Sequence, residues 1–417
     1  MTMKDLVNNP IQNEVVKIIN SGRSRSAWIV SFNTKLGDSI VFDMMPLKYL
    51  ADSFSSVHFL SPVCHLVNST FVSCHYLDMK NNYWFDQPVK SVFDYLKEKL
   101  FEALGESINH GDFLFIDTGS LGVWFQNMFL DAGEFISDIE MQVARKYMRE
   151  LISDLTIFLD LKGAWYLLWR DPSGDVTWGK NNFHFAVPNP SGVCDYRVYL
   201  EDSDSGFLDF IGKDVNVYKI AETLFKFIFG NSFKREYDSA YFNTNNSISY
   251  KKQLPLGNYV LLNLNTGSPY KREALSEIFE KFLIEFCHQN IFQEQFTLVM
   301  TELEPDWGDS IFDGFQSFLE SSTEGKKILI HPTSKRSELP ELMRNASAII
   351  THCSGFSHLA HIFNENVVTF SIDNTISFIN GKNPWAPSHS INVRKNNVAQ
   401  GVEALITISL KHQNQKI

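Results

Sequence analysis

The hydrophobic pattern is most regular near the end of the chain. Ile328 to Ile330 and Ala348 to Ile350 are short apolar runs without polar alternation, the mark of strands covered on both faces. Between them Leu339, Leu342 and Met343 repeat at helical spacing. This predicts a helix with Ser337 as its N-cap and Pro340 in its first turn. Ser354-Gly355 then turns the chain into a second helix carrying His358, Leu359 and Ile362, and Val367 to Phe370 is a third apolar strand. Strand-helix repeats of this kind build a parallel sheet, and its ligands bind beyond the carboxyl ends of the strands.

The first half begins in the same way. Residues 11–23 predict a short helix, and Ala27 to Phe32 a buried strand. The loop Asn33-Thr-Lys-Leu-Gly-Asp-Ser follows that strand. Val41, Met44, Met45, Leu47, Tyr49 and Leu50 predict one largely buried helix with Pro46 early in it, and Val57 to Leu60 the next strand. One or two further strands are expected between Cys64 and Trp84. Val92, Phe93, Tyr95, Leu96, Leu100 and Leu104 line one side of a helix from Val89 to Leu104. Asp112 to Asp117 is a buried strand ending in Asp117-Thr-Gly-Ser, which reads as a plain turn or as the lining of an acceptor cleft. Residues 125–161 are mostly helical in pattern, Ala164 to Trp169 strand-like, and 215–230 helical up to Gly230. Residues 231–255 are polar and rich in Asn, Ser, Tyr and Lys, as an interdomain linker is. Strands follow at Asn258 to Asn265 and Phe296 to Met300, with helices at 273–288 and 398–411. The expected division is 1–235, a linker 236–257, a second domain 258–396 and a terminal helix 397–417.

Length supports that division, since 417 residues exceed one ordinary core. The chain is 44% hydrophobic, and its aromatic content of 14% includes 35 Phe. A net charge of -11 argues against a broad nucleic-acid surface and leaves room for a local basic patch on a membrane. Five cysteines without a CxxC suit a reducing compartment. Cys64-His65 and Cys74-His75 invite a metal reading, but their spacing fits no standard zinc pattern, and no metal is expected. Residues 1–10 lack an apolar signal core, and no run approaches the ~20 apolar residues of a membrane helix. The expectation is a soluble protein, or at most a peripheral one.

Chemistry gathers at two turns. Ser354-Gly355 before a helix exposes backbone N–H groups at the positive end of the helix dipole, a site suited to phosphate or pyrophosphate. His358, in the first turn, can add a hydrogen bond. Read alone, the same residues also describe a helix-opening turn beside a core histidine. At Lys35-Leu-Gly-Asp38, Gly37 allows a tight turn and close backbone approach. Read alone, Asp38 there is also a capping aspartate. Trp165, Trp169 and Trp178 are read as core packing in preference to sugar stacking.

Leu339-Pro-Glu-Leu, Ser354-Gly355 and His358-Leu-Ala, in that order, resemble the donor-binding half of the heptosyltransferase family. These are nucleotide-sugar glycosyltransferases of bacterial lipopolysaccharide cores. Lys35-Leu-Gly-Asp38 resembles the family's opening x-x-Gly-Asp. Cys353 and Phe356 stand where the family has Asp and Pro, and residues 160–212 fit least, as an insertion would.

The resemblance implies an α/β fold of GT-B type, two Rossmann-like domains with parallel sheets facing across a cleft. It implies metal-independent, inverting transfer with Asp38 as general base and Gly37 in the acceptor-side loop. The donor would meet Thr266, Gly267, Lys271, Glu302, Ser354, Gly355 and His358. Thr375 and Trp385 to Pro387 loosely echo the tract bordering the donor base. The partners implied are a nucleotide-sugar, with no separate cofactor, and a glycan or lipid-linked glycan acceptor, in the cytoplasm or on the inner face of the cell membrane. Three other readings stand beside it: a catalytically inactive nucleotide- or glycan-binding protein, a protein-modifying glycosyltransferase, and an epimerase of the same shape.

Overall fold

A computed structural model describes residues 10–22, 25–34, 37, 39–67, 70–79, 87–131, 137–169, 182–185, 221–222, 225–226, 228–234, 259–263, 265, 297–301, 328–331, 338–352, 354–364, 366–371 and 389–392. By contact density the chain divides into two compact units. One comprises Met1–Lys213 with Ile220–Tyr241, the other Asp214–Lys219 with Phe242–Ile417.

In the first unit the strands are β1 (Ser26–Ser31), β2 (Ser56–Ser61), β3 (Ser73–Tyr76), β4 (Phe113–Asp117), β5 (Trp165–Trp169) and β6 (Asn182–Phe185). They form one sheet in the order β3-β2-β1-β4-β5-β6, and every pairing is parallel. In the second unit β7 (Tyr259–Leu262), β8 (Thr297–Thr301), β9 (Ile328–His331), β10 (Ala348–His352), β11 (Val367–Ser371) and β12 (His389–Asn392) form a parallel sheet in the order β12-β11-β10-β7-β8-β9. Counted from each sheet's own first strand, both follow the doubly wound order 3-2-1-4-5-6. The chain therefore leaves the sheet in opposite directions from β1 and β4, and likewise from β7 and β10. Beyond the carboxyl ends of those pairs a crevice forms, the place where such sheets bind ligands.

The strands form where the apolar runs predict them. Ala27 to Val30, Phe113 to Ile116 and Tyr259 to Leu262 are fully or almost fully buried, as strands covered on both faces must be. The helices are α1 (Pro10–Ser21), α2 (Leu47–Ser53), α3 (Val89–Gly105), α4 (Gly119–Asp131), α5 (Asp138–Lys162), α6 (Leu339–Asn345) and α7 (Gly355–Phe363). Helices α3 and α5 lay Val92, Phe93, Leu96, Leu100 and Leu104 against Ala144, Met148, Leu151, Leu155 and Leu159 over one face of the first sheet. Helix α5 starts on a reciprocal cap. The Glu140 N–H donates to Ser137 Oγ at 3.2 Å, and the Ser137 N–H to Glu140 Oε2 at 2.9 Å. It stops at Gly163, whose φ of 67° is the left-handed C-cap conformation.

Several expectations need correction. The helix read from Val41 to Leu50 is two pieces, a π-helical turn Ser39–Asp43 and α2, with Pro46 at the N-cap of the second. Proline has no N–H and its ring crowds the preceding turn, so the first turn cannot run on through it. Helix α6 begins after Glu338, which holds the N-cap position assigned to Ser337, and no side chain caps it. Between Cys64 and Trp84, where one or two strands were expected, the described residues hold one, β3, in agreement, preceded by a 3-10 turn Cys64–Leu66. Asp117-Thr-Gly-Ser is not an open loop: Asp117, Thr118 and Ser120 are fully buried, and α4 starts at Gly119. Strands β6 and β12 fall where no strand was read. The linker 236–257 and the helices at 273–288 and 398–411 lie outside the described residues, as do Trp178, Thr375 and Trp385 to Pro387.

Candidate functional site

The second unit's crevice is built from the ends of β7, β8 and β10. β7 continues into Asn263, whose N–H donates to the Ile350 carbonyl at 2.9 Å. The Asn263 amide donates to Thr301 Oγ1 at 2.8 Å, and Thr301 Oγ1 lies 3.5 Å from the Leu262 carbonyl. Asn263 Oδ1 is buried without a hydrogen-bond partner. At the end of β10, His352 Nε2 lies 2.6 Å from the Asn265 carbonyl, so Nε2 carries the proton and donates. That bond ties the loop after β7 to the turn that opens α7.

The turn is Ser354-Gly355. Ser354 has extended backbone, φ -154° and ψ 177°, as an N-cap residue does. Its N–H donates to Ser357 Oγ at 3.3 Å, and Ser357 Oγ donates to the Ser354 carbonyl at 2.7 Å. Ser354 Oγ itself is buried and has no partner. The first N–H groups of α7, those of Gly355 and Phe356, have no acceptor within the helix. One hydroxyl and two amides are thus left at the positive end of a helix dipole, a set suited to an anionic oxygen. His358 follows at the end of the first turn, 8% exposed. Burial, with the His358 ring nearby, pushes the buried His361 down to about 3, and its Nε2 lies 3.5 Å from Thr369 Oγ1 on β11. His361 is therefore a neutral core residue under any ordinary condition.

The first unit's crevice has a different chemistry. Ser31 and Asp117 are paired across β1 and β4. Asp43, fully buried in the π-helical turn, accepts at Oδ2 from Ser31 Oγ at 2.6 Å and from Asn33 Nδ2 at 2.7 Å. Asn33 Nδ2 also lies 3.3 Å from Asp117 Oδ2. Burial first, and the facing Asp117 carboxyl second, hold Asp43 well above the ordinary carboxylate range. The second strand end is secured as well: the Phe32 N–H donates to Ser120 Oγ at 2.9 Å, and Ser120 Oγ donates to the Asp117 carbonyl at 2.5 Å.

Of the residues expected to form the site, Ser354, Gly355 and His358 come together at the head of α7. Gly37 is half-buried in the first unit, between Asn33 and the π-helical turn. Asp38, Thr266, Gly267, Lys271, Glu302 and Cys353 lie outside the described residues. Sequence reasoning passed over Asn263, Thr301, His352, Asn33 and Asp43. A signal existed for each. The first four are polar residues at the carboxyl end of an apolar strand, and Asp43 is a lone acid inside Val41-Phe42-Asp43-Met44-Met45, where only a buried carboxyl can sit. In the second Cys-His pair, His75 Nε2 lies 3.0 Å from His58 Nδ1, and His58 stacks on Trp28 at 4.2 Å. Among the described residues no group of three metal-ligating side chains converges, and no helix is long and apolar enough to cross a membrane.

No known sequence family matches the chain, and no curated protein matches it by sequence. Solved structures do. A glycosyl transferase family 9 protein from Veillonella parvula matches with a TM-score of 0.51 at 10% identity, over 94% of this chain and 99% of that one. The E. coli heptosyltransferase WaaC with ADP matches with a TM-score of 0.50 at 11% identity, over 90% of this chain and 99% of that one. The same enzyme with ADP-2-deoxy-2-fluoro heptose gives 0.51 at 11% identity, over 93% and 99%. The chain thus has the α/β fold of the heptosyltransferase-like, GT-B type glycosyltransferases along nearly its whole length.

Proposed function

We propose that this protein is an inverting glycosyltransferase that takes its sugar from a nucleotide-sugar donor held by the second unit. The observation that carries the reading is the head of α7. Ser354 Oγ has no partner, and the first amides of the helix have no acceptor within it, at the switch point of a doubly wound sheet and within a fold like that of an enzyme solved with ADP and an ADP-sugar analogue. The diphosphate would lie against Ser354, Gly355 and the helix dipole, with His358 adding a hydrogen bond. Thr266, Gly267 and Lys271, in the loop that His352 ties down through Asn265, would complete the donor site, with Glu302 after β8.

Asp38, with Gly37 beside it, would serve the acceptor. Its carboxylate would take the proton from an acceptor hydroxyl as the hydroxyl oxygen bonds to the anomeric carbon. The bond from that carbon to the diphosphate breaks on the opposite face, so configuration inverts. The electron pair leaves on the nucleoside diphosphate, where Lys271 and the α7 amides would offset the new charge. Diphosphate charge met in this way needs no bound metal. The acceptor class is a glycan or lipid-linked glycan of lipopolysaccharide type, reached from the cytoplasmic side.

Thermal unfolding against ADP-, UDP-, GDP-, CMP- and dTDP-sugars tests the donor. A ligand at ~100 times its Kd adds about 2.7 kcal/mol, which moves the midpoint by several degrees. The reading expects a shift with one nucleotide class, reduced in Ser354→Ala and in His358→Ala. Binding without transfer or donor hydrolysis would make this a non-catalytic member of the fold, and no shift with any donor would remove the nucleotide-sugar reading.

A further inference from the structure

We infer that Asn33, Asp43 and Asp117 are positioning residues: together they clamp the end of β1 and so set the place of the loop 33–39, which carries Gly37 and Asp38. This rests on the glycosyltransferase reading only for what the loop does, not for the clamp itself.

Four observations meet here. Asn33 is 2% exposed and Ser39 fully buried, so both ends of the loop are held inside the unit. Asn33 joins the two acids through one amide nitrogen, 2.7 Å from Asp43 and 3.3 Å from Asp117. Its own N–H donates to Ser31 Oγ at 3.1 Å, and that hydroxyl donates to Asp43 at 2.6 Å. Asp43 lies in the turn that begins at Ser39, directly after Asp38. The chain thus leaves the cluster at Asn33 and is back in the unit's interior at Ser39, six residues on.

The chemistry of the pair explains why the clamp is tight. Two buried carboxyl groups facing each other resist carrying two charges, and burial, with the facing Asp117 carboxyl, holds Asp43 well above the ordinary carboxylate range. Asp43 Oδ2 is occupied by Ser31 and Asn33, and Oδ1 accepts no hydrogen bond. A proton on Oδ1 has the Asp117 carboxyl as its acceptor. Ionising Asp43 would remove that hydrogen bond between the two acids. Among the described residues, the groups facing Asp43 are Asp117 from β4 and the neutral Ser31 and Asn33 from the end of β1, with no cation among them.

Hydrogen exchange of the whole protein, read by mass spectrometry over residues 32–45, tests the clamp without any substrate. Asn33→Ala should raise exchange of this segment at least ~10-fold while β7 and β10 keep wild-type protection. Asp43→Asn, which keeps an acceptor for Asn33 and supplies an N–H toward Asp117, should retain protection. After correction for intrinsic exchange, wild-type protection should fall as pH rises, and that of Asp43→Asn should not. With the donor found by thermal shift, Asn33→Ala should lower kcat ~10-fold or more and leave the donor KM within twofold. Unchanged exchange in Asn33→Ala overturns the clamp, as does lost protection with unchanged kcat. If the wild-type protein turns over no donor, the glycosyltransferase reading fails and exchange alone decides the clamp.

Discussion

The two sheets share a strand order and differ in what stands at the switch point. At β1 and β4 the polar groups are mostly turned on one another: two acids, an amide and a hydroxyl, all buried, meet at Asn33 Nδ2 and Asp43 Oδ2, and only Asp43 Oδ1 and the nearby Ser39 Oγ accept no hydrogen bond among them. At β7 and β10 the polar groups left over stand at a helix start: Asn263 Oδ1 and Ser354 Oγ have no partner, and the first N–H groups of α7 have no acceptor within the helix. A buried polar atom without a partner costs free energy, about 1–3 kcal/mol, and folds keep such atoms chiefly where something else will use them. The comparison teaches that one topology can supply either a ligand cradle or a brace for a loop. The strand order fixes where the crevice lies, and the residues one or two places past each strand decide its use.

The sharpest way to break the comparison is at the loop the brace holds. Asp38→Asn removes the proposed base and leaves the second unit untouched. Turnover should fall on the order of 10²-fold or more, while the donor-induced thermal shift stays at its wild-type size. Equal loss of both would mean that the first crevice also binds the donor.

The two crevices should also answer pH with opposite signs. Asp43 has a raised folded pKa, so the stability it contributes is complete below the ordinary aspartate value of 3.8 and is lost as pH rises through the folded value. His361 is the reverse. Its folded value of about 3 lies below the ordinary 6.5, so its contribution is present above 6.5 and is lost as pH falls. The linkage relation puts that loss at about 2 kcal/mol by pH 5, as an order of magnitude. Wild-type and His361→Gln denaturant midpoints measured at pH 7 and pH 5 check it. The wild-type midpoint should drop further on acidification; parallel drops would show that His361 is not neutral in the fold.

A smaller effect separates binding from folding at the second crevice. Ser354→Ala removes a hydroxyl that makes no hydrogen bond within the protein, so the midpoint of the ligand-free protein should move by no more than a degree or two. Donor affinity should weaken ~10-fold, the worth of one hydrogen bond to a charged group. Titration calorimetry with the donor reads the second number and a thermal scan the first. A large loss of stability with unchanged affinity would make Ser354 a structural cap.

The frame of both crevices was legible in the chain because buried parallel strands are apolar without interruption. Nine of the observed strands begin or end within two residues of a strand read from the sequence, as β1, β4 and β10 show. Strands β6 and β12 were not legible: Asn182–Phe185 and His389–Asn392 mix polar and apolar residues, as strands at a sheet edge can. Ser354 and Gly355 were legible because a turn that opens a helix has a local signature. The Asp43–Asp117 brace was not, because its members lie 74 positions apart and meet only when β1 and β4 pair. The Pro46 break was readable in principle, since a proline after five apolar or acidic residues ends one turn as readily as it begins another.

The smallest expected effect lies at the edge of the first sheet, away from both crevices, and serves as a control on the pH comparison. His58 on β2 and His75 on β3 are joined at 3.0 Å, with His58 stacked on Trp28 at an interplanar angle of 8°. Burial lowers both rings' affinity for protons; His75 lowers that of His58 further, and Asp112 partly opposes it. One neutral ring donates to the other, and two charged rings cannot keep that bond. Stability here is present above the ordinary 6.5 and fades as pH falls through the lowered values. Both rings are half-exposed, so solvent screens much of the change. Exchange at 73–76 should rise on going from pH 7 to pH 5 by more than intrinsic rates explain, and His75→Phe should abolish that excess while keeping the stack. If exchange over 32–45 rose in step with it, acid would be loosening the whole first unit, and the opposite pH signs of the two crevices could not be assigned to Asp43 and His361.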